Sequence, residues 1–257
     1  MSRDFQSPLS AWRRLGFMLL SFGFDPRKFR RACRTFPEFF KNFINFRRGA
    51  GFRERLFLSP IFGESIEAAG SITDDYFALD LWAAKKTFQV RPQRHLDVGS
   101  RLDGFVAHVL TWSAIDVLDV RPLTSGVPGL NFVQDDARTC DLIESDSYDL
   151  VTSLHAIEHF GLGRYGDQID PDGVTKAIKS LVRIVKPGGY LILGFPTGKN
   201  EVLFNAQRLL DPVTVMESIP GDVVEIVTTN HKGWVNEVSD LRSVEYSCVG
   251  MLVRITK

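Results

Sequence analysis

Two different rhythms of apolar and polar residues divide the chain. From Trp12 to about Phe57, Phe29, Cys33, Phe36, Phe40 and Phe43 recur every three or four positions among Arg and Lys. That spacing predicts short amphipathic helices, punctuated by Pro26 and Pro37. Pro60, Gly63 and Gly70 mark a link, so the pattern predicts a helical extension over 1–70 and a main domain over 71–257. Asp74 to Phe88 has Phe77, Leu81, Ala84 and Phe88 on one helical face. Beyond it the period shortens. Leu96 and Val98 lead into Gly99, and apolar runs follow at Ala114–Val120, Leu130–Val133, Tyr148–Ser153 and Tyr190–Pro196. Helical spacing separates some of them, in Phe105, Val106, Val109 and Leu110, and again over Val174–Val185. Strand alternating with helix predicts an α/β fold with a mostly parallel, doubly wound sheet. Val223–Val227 and Val249–Ile255 add two late strands.

The turn after the first strand is the first place with chemistry. Gly99 can take backbone angles forbidden to other residues, and the turn delivers its N–H groups at a helix start, where a polar ligand can be held. Asp119 stands twenty residues after Gly99, the separation at which a carboxylate accepts from a ribose diol. That spacing suits a nicotinamide dinucleotide as well as S-adenosylmethionine (SAM), and Gly99, Gly104 and Asp119 also fit an oxidoreductase fingerprint. His155, Glu158 and His159 stand at i, i+3 and i+4, so on a helix they share a face. Their order matches the His-x-x-Glu-His of some zinc peptidases, but a position at the end of a strand in a βαβ series argues against that setting, and no metal is expected. A neutral imidazole, with an ordinary pKa of ~6.5, suits proton removal from a hydroxyl. The glycine-rich stretch Gly161–Gly173 is too long for a simple turn, which makes Arg164, Tyr165, Asp167 and Asp170 candidates for recognising a hydroxyl-rich or phosphorylated molecule.

Three motifs together carry a family resemblance. Asp97-Val98-Gly99 resembles the first motif of class I SAM-dependent methyltransferases, usually Asp/Glu-x-Gly-x-Gly-x-Gly. Here Arg101 and Asp103 replace the second and third glycines and Gly104 comes one residue late. Leu154-His155-Ala156-Ile157-Glu158-His159 looks like that superfamily's Leu-Glu-His signature, and Pro187-Gly188-Gly189 before Tyr190–Pro196 resembles its turn into the fifth strand. The resemblance implies a Rossmann-like sheet closed by an antiparallel C-terminal strand. It implies SAM as cofactor, held by Asp97, Gly99, Ser100, Gly104, Asp119, Asp136, Ala137 and Leu154, with Asp136 meeting the adenine amine. It places His155 at the cofactor's edge and His159 towards the acceptor, while Glu158 orients a histidine or pairs with one around a divalent ion. It makes the helix before the first strand a cover for the cofactor, so that Tyr76, Asp80 or Trp82 lines the site. Asn205, Gln207 and Arg208 form a polar stretch suited to the acceptor pocket. Over about residues 74–210 the motif combination also looks like a methyltransferase-like family catalogued as a domain of unknown function.

Charge adds one feature. The 257 residues sum to zero, yet residues 1–60 carry a net +9 and hold 12 of the 20 Phe, leaving −9 for the rest. A zero sum gives no general affinity for nucleic acid, and no specific nucleic-acid partner is expected. The basic Phe-rich arm has two readings: a packing surface for the main domain or another subunit, or a surface that meets membrane or an anionic polymer at the periphery. Three scattered cysteines suit a reduced, cytoplasmic setting, and Leu15–Phe24 is too short to span a bilayer and lacks a cleavage site. The expected function is methyl transfer from SAM to a small-molecule or glycan acceptor, chiefly at oxygen. The alternative is a non-catalytic Rossmann-like module that binds a nucleotide or a protein.

Overall fold

Asp25 starts the first described helix, α1 (Pro26–Arg47), by accepting from the backbone N–H groups of Arg27 and Lys28, with Pro26 in the first turn. The structure is a computed structural model that describes residues 19–20, 22–48, 60–62, 75–204, 206–229, 235–237 and 247–257. It divides into two units, Met1–Ser71 and Ile72–Lys257. In the first, a 22-residue helix runs through Pro37, where the sequence reading put a break, and much of the remaining stretch of expected short helices lies outside the described residues. Proline there removes a single N–H, the one that would bond the Cys33 carbonyl. A ring contact spans Pro37, Phe36 to Phe40 at 5.6 Å, and Phe40 to Phe43 at 6.4 Å continues the row beyond it.

The second unit opens with α2 (Asp75–Val90), followed by β1 (His95–Val98), α3 (Ala107–Leu110), β2 (Ile115–Asp119), β3 (Leu130–Gln134) and β4 (Tyr148–Leu154). Then come α4 (Gly173–Ile184), β5 (Val185–Pro196), the hairpin β6 (Glu201–Leu203) and β7 (Gln207–Leu209), α5 (Pro212–Glu217), β8 (Gly221–Thr229), β9 (Val235–Glu237) and β10 (Cys248–Ile255). The main sheet runs β3-β2-β1-β4-β5-β10-β8-β9. β1 pairs in parallel with β2 and β4, as does β4 with β5, while β10 is antiparallel to both β5 and β8. The late antiparallel strand is therefore inserted, as the resemblance implies.

Side-chain alternation sends the two faces of this sheet to two cores. Leu193 and Phe195 of β5 face Ile178, Leu181 and Ile184 of α4, whereas Ile192 faces Leu79, Trp82 and Ala83 of α2. β5 begins at Val185, two residues before Pro187-Gly188-Gly189, so the expected closing turn is an irregularity within the strand. The β6–β7 hairpin replaces what reads in the sequence only as a polar stretch.

Candidate functional site

β1 ends where Gly99 takes φ +71°, a left-handed conformation that costs glycine little. Asp97 holds the turn from inside: its carboxylate accepts from Ser100 N at 3.0 Å, Ser100 Oγ at 2.6 Å and Thr152 Oγ1 at 2.7 Å. Ser100 Oγ in turn accepts from Leu154 N at 2.9 Å, tying the turn to β4. Thr152 spends its proton on Asp97, so it accepts from His95 Nε2–H at 3.0 Å. Burial keeps that imidazole neutral, its pKa pushed down to about 3. Burial also lifts Asp97 to about 6, against the hydrogen bonds from Ser100 and Thr152.

Past Ser100 the chain does not enter a regular helix at once. A wide turn over Leu102–Val106 breaks at Gly104 (φ −113°, ψ −107°) before α3. A Cβ on Gly104 would run into Asp80 Oδ2, so this late glycine lets α2 approach the turn. Burial lifts Asp80 to about 7, partly offset by the Arg101 guanidinium. An acid raised from 3.8 favours the folded state most at low pH and loses that contribution as pH rises through about 7. Asp80→Asn, neutral throughout, is therefore expected to gain on wild type by up to roughly 3 kcal/mol between about pH 5 and pH 8 in thermal melts. An equal gap between the two proteins at both pH values would contradict this placement.

A cavity of about 640 Å³ opens at the C-terminal ends of β1, β2 and β4, where the strand order reverses direction. Open α/β sheets bind ligands at this switch point. Of the residues singled out above, Gly99, Ser100, Asp119, Asp136, Ala137, His155, His159, Arg164, Tyr165 and Asp167 line it, together with Tyr76. Asp97, Gly104, Leu154, Glu158 and Arg208 do not line it. Asp80 lies behind Gly104, and Trp82 turns away to donate to Glu225 Oε1 at 2.8 Å. Asn205 lies outside the described residues.

Two arginines that the sequence reading passed over change the acidic wall. Arg121 forks Asp119 through Nε at 3.0 Å and Nη2 at 2.6 Å, and adds its backbone N–H at 2.8 Å. The Arg121 side chain is 52% exposed, so solvent screens its pairing with Asp119. Asp136 is bound more firmly. Arg138, 9% exposed, takes both its oxygens and also donates to Gln168 O at 2.8 Å. The Asp136 carboxyl is held below the usual range by that guanidinium. The carboxylate that the resemblance assigns to an adenine amine is thus committed to the protein. The signal was present in the sequence as a repeat, Asp119-x-Arg121 and Asp136-x-Arg138.

The histidines are arranged differently from the helical expectation. His155 follows β4 at φ +52°, with its N–H donating to Gly194 O at 2.7 Å and its ring over Tyr76 at 4.0 Å. Only Ile157–His159 form a turn, of the tight 3-10 type, so the three residues share no α-helical face. The β4–β5 pairing carries the strand too far for a helix to start at His155. Glu158 is wholly buried and pushed up to about 8, which makes it a neutral acid at neutral pH. Its Oε1 lies 3.8 Å from His159 Nε2, and Oε2 meets no partner among the described residues. His159 is pushed down to about 4 by burial and by the Arg164 charge, and its ring stands edge-on to Tyr165 at 5.4 Å. Among the described residues no group of three or more His, Cys, Asp or Glu is placed to hold a metal ion.

Loop 161–173 brings Arg164, Tyr165 and Asp167 to the cavity, whereas its Asp170 does not line it. Arg208 donates to Phe160 O at 2.6 Å and Asp170 O at 3.4 Å, so it closes the loop's ends instead of facing an acceptor. Asp167 accepts from Gly161 N at 2.7 Å and Tyr165 N at 3.3 Å, and Asp170 pairs with Lys176 at 2.7 Å. Tyr165 then lies under the Arg121 guanidinium at 4.4 Å. Arg164 donates to Ala206 O at 2.8 Å.

The family model described as Caenorhabditis protein of unknown function, DUF268, matches residues 130–244, which leaves out the Gly99 turn. No curated protein matches the chain. Among solved structures, a Burkholderia thailandensis 1,6-didemethyltoxoflavin-N1-methyltransferase with bound 1,6-didemethyltoxoflavin and S-adenosylhomocysteine is 12% identical. The match covers 98% of this chain and 93% of that one, with a TM-score of 0.53. A Galdieria sulphuraria putative sarcosine dimethylglycine methyltransferase is 14% identical over 69% of this chain and 85% of that one, with a TM-score of 0.50. The [4+2]-cyclase SpnF is 13% identical over 68% and 82%, also with a TM-score of 0.50. These likenesses establish a class I methyltransferase-like fold. The cyclase among them shows that the fold is home to more than methyl transfer.

Proposed function

We propose that the protein transfers a methyl group from SAM to a small-molecule acceptor, at an oxygen of a hydroxyl-bearing, glycan-like compound. The observation that carries this is the switch-point cavity itself, with a glycine turn on one wall and a buried neutral histidine on another. The residues present suit the cofactor in most respects. The Gly99–Ser100 turn offers backbone groups, Asp119 is a carboxylate whose partner is exposed, and Leu118 and Phe132 give an apolar wall. Asp136 is the exception already described.

When bound, SAM supplies a methyl group activated by its sulfonium. The chain's own part is alignment and exclusion of water, the larger share of such a rate gain. His155 and Tyr76 wall one side of the cavity, and Tyr165 with Asp167 forms the side from loop 161–173. His159, neutral at neutral pH, takes the hydroxyl proton as oxygen attacks. The test is incubation with SAM carrying a labelled methyl and a pool of small hydroxylated metabolites and glycans. Label in a small molecule, suppressed by S-adenosylhomocysteine, is expected. A protein that binds S-adenosylhomocysteine yet moves no label to any acceptor would contradict transfer and leave a binding module.

A further inference from the structure

We propose that α1 docks the protein on an anionic lipid surface, lying flat with its phenylalanines in the interface. The 22 residues of α1 contain seven Arg and Lys and one acid, Glu38. At 100° per residue, Phe29, Phe36, Phe39, Phe40 and Phe43 fall on one arc with Ile44 at its edge, and Arg27, Arg30, Arg34 and Lys41 are centred roughly 150° away. Part of the apolar arc is open: Phe29, Phe36, Phe40 and Ile44 are 60%, 49%, 46% and 38% exposed, while Phe39 and Phe43 are half-buried and the Phe62 ring lies 5.8 Å from that of Phe36 and 5.4 Å from that of Phe39. No helix among the described residues is long and apolar enough to cross a membrane; a basic amphipathic helix binds lipid by lying in the plane of the interface.

Charge decides between occupants. A second copy of the chain would cover the phenylalanines but bring two strongly basic helices together. A nucleic acid would satisfy the cations and leave the aromatic arc in water. A bilayer with anionic headgroups satisfies both arcs at once, with the rings at the acyl boundary and the cations within a Debye length of the lipid charge. This proposal does not depend on methyl transfer.

The test is co-sedimentation of the full chain with vesicles of phosphatidylcholine alone and of phosphatidylcholine with phosphatidylserine. The mixed vesicles are expected to bind at least about tenfold more tightly, and raised salt should remove most of that preference. Phe36→Ser with Phe40→Ser should weaken binding to both vesicles by about tenfold or more. Arg30→Glu with Arg34→Glu should remove only the phosphatidylserine preference, and this exposed pair keeps the test valid if the phenylalanine variant fails to fold. Absence of vesicle binding overturns the proposal, as does equal binding to both vesicle types. A dimer abolished by the phenylalanine changes, or salt-sensitive DNA binding, in a protein that ignores vesicles would assign the helix to those partners instead.

Discussion

Asp97→Ala is expected to be the most damaging single change in the main domain, costing about 3 kcal/mol and at least about a hundredfold in S-adenosylhomocysteine affinity. The wholly buried carboxylate gathers three hydrogen bonds. Alanine strands the Ser100 N–H and the Thr152 hydroxyl in the core, each an unsatisfied donor worth about 1–3 kcal/mol. Ser100 then loses the bond that holds it under Leu154 N, and the Gly99 turn is released from β4. Asp97→Asn is expected to recover only part of this, because an amide places N–H₂ where one oxygen now accepts. Urea unfolding and calorimetry measure both effects. Midpoint and affinity within twofold of wild type in the alanine variant would mean that the network does not hold the turn.

His159→Ala is expected to lower methyl transfer by about 10²–10³ while S-adenosylhomocysteine affinity stays within about threefold. The imidazole faces the cavity beside Tyr165, and burial together with Arg164 keeps it unprotonated. Its pKa is pushed down to about 4, so the rate should rise with pH through that value and be unaffected by this group above about pH 5. His159→Gln keeps a polar side chain but cannot take up the proton, so it should be nearly as slow. Turnover within threefold of wild type in either variant would move proton removal to another group. A fall in affinity equal to the fall in turnover would make His159 a binding residue.

The features legible in the sequence are those that local chemistry dictates. Apolar runs bounded by glycine and proline mark β1 through β5, and Gly99 shows where the first strand must stop. What escaped depends on which partner a side chain chooses after folding. Asp119 and Asp136 read as waiting acceptors because of where they fall in the chain, yet each has an arginine two residues on that claims it. His155, Glu158 and His159 have a helical spacing, but the His155 N–H bonds Gly194 O in a left-handed bend just after β4, and only Ile157–His159 turn. Arg208 reads as a ligand contact because it is polar, whereas its donors are spent on the carbonyls at the two ends of a loop. Even α1 was cut in two by Pro37, since proline reports the lost hydrogen bond and not the ring contact that bridges it.

The measurement that bears most directly on the central claim is a calorimetric titration of the purified full chain with S-adenosylhomocysteine, with NAD as control and Asp119→Ala as the site variant. Micromolar binding that is lost in the variant and absent for NAD is the predicted result. A folded protein that takes up neither compound, or that prefers NAD, would contradict the assignment of the switch-point cavity to SAM.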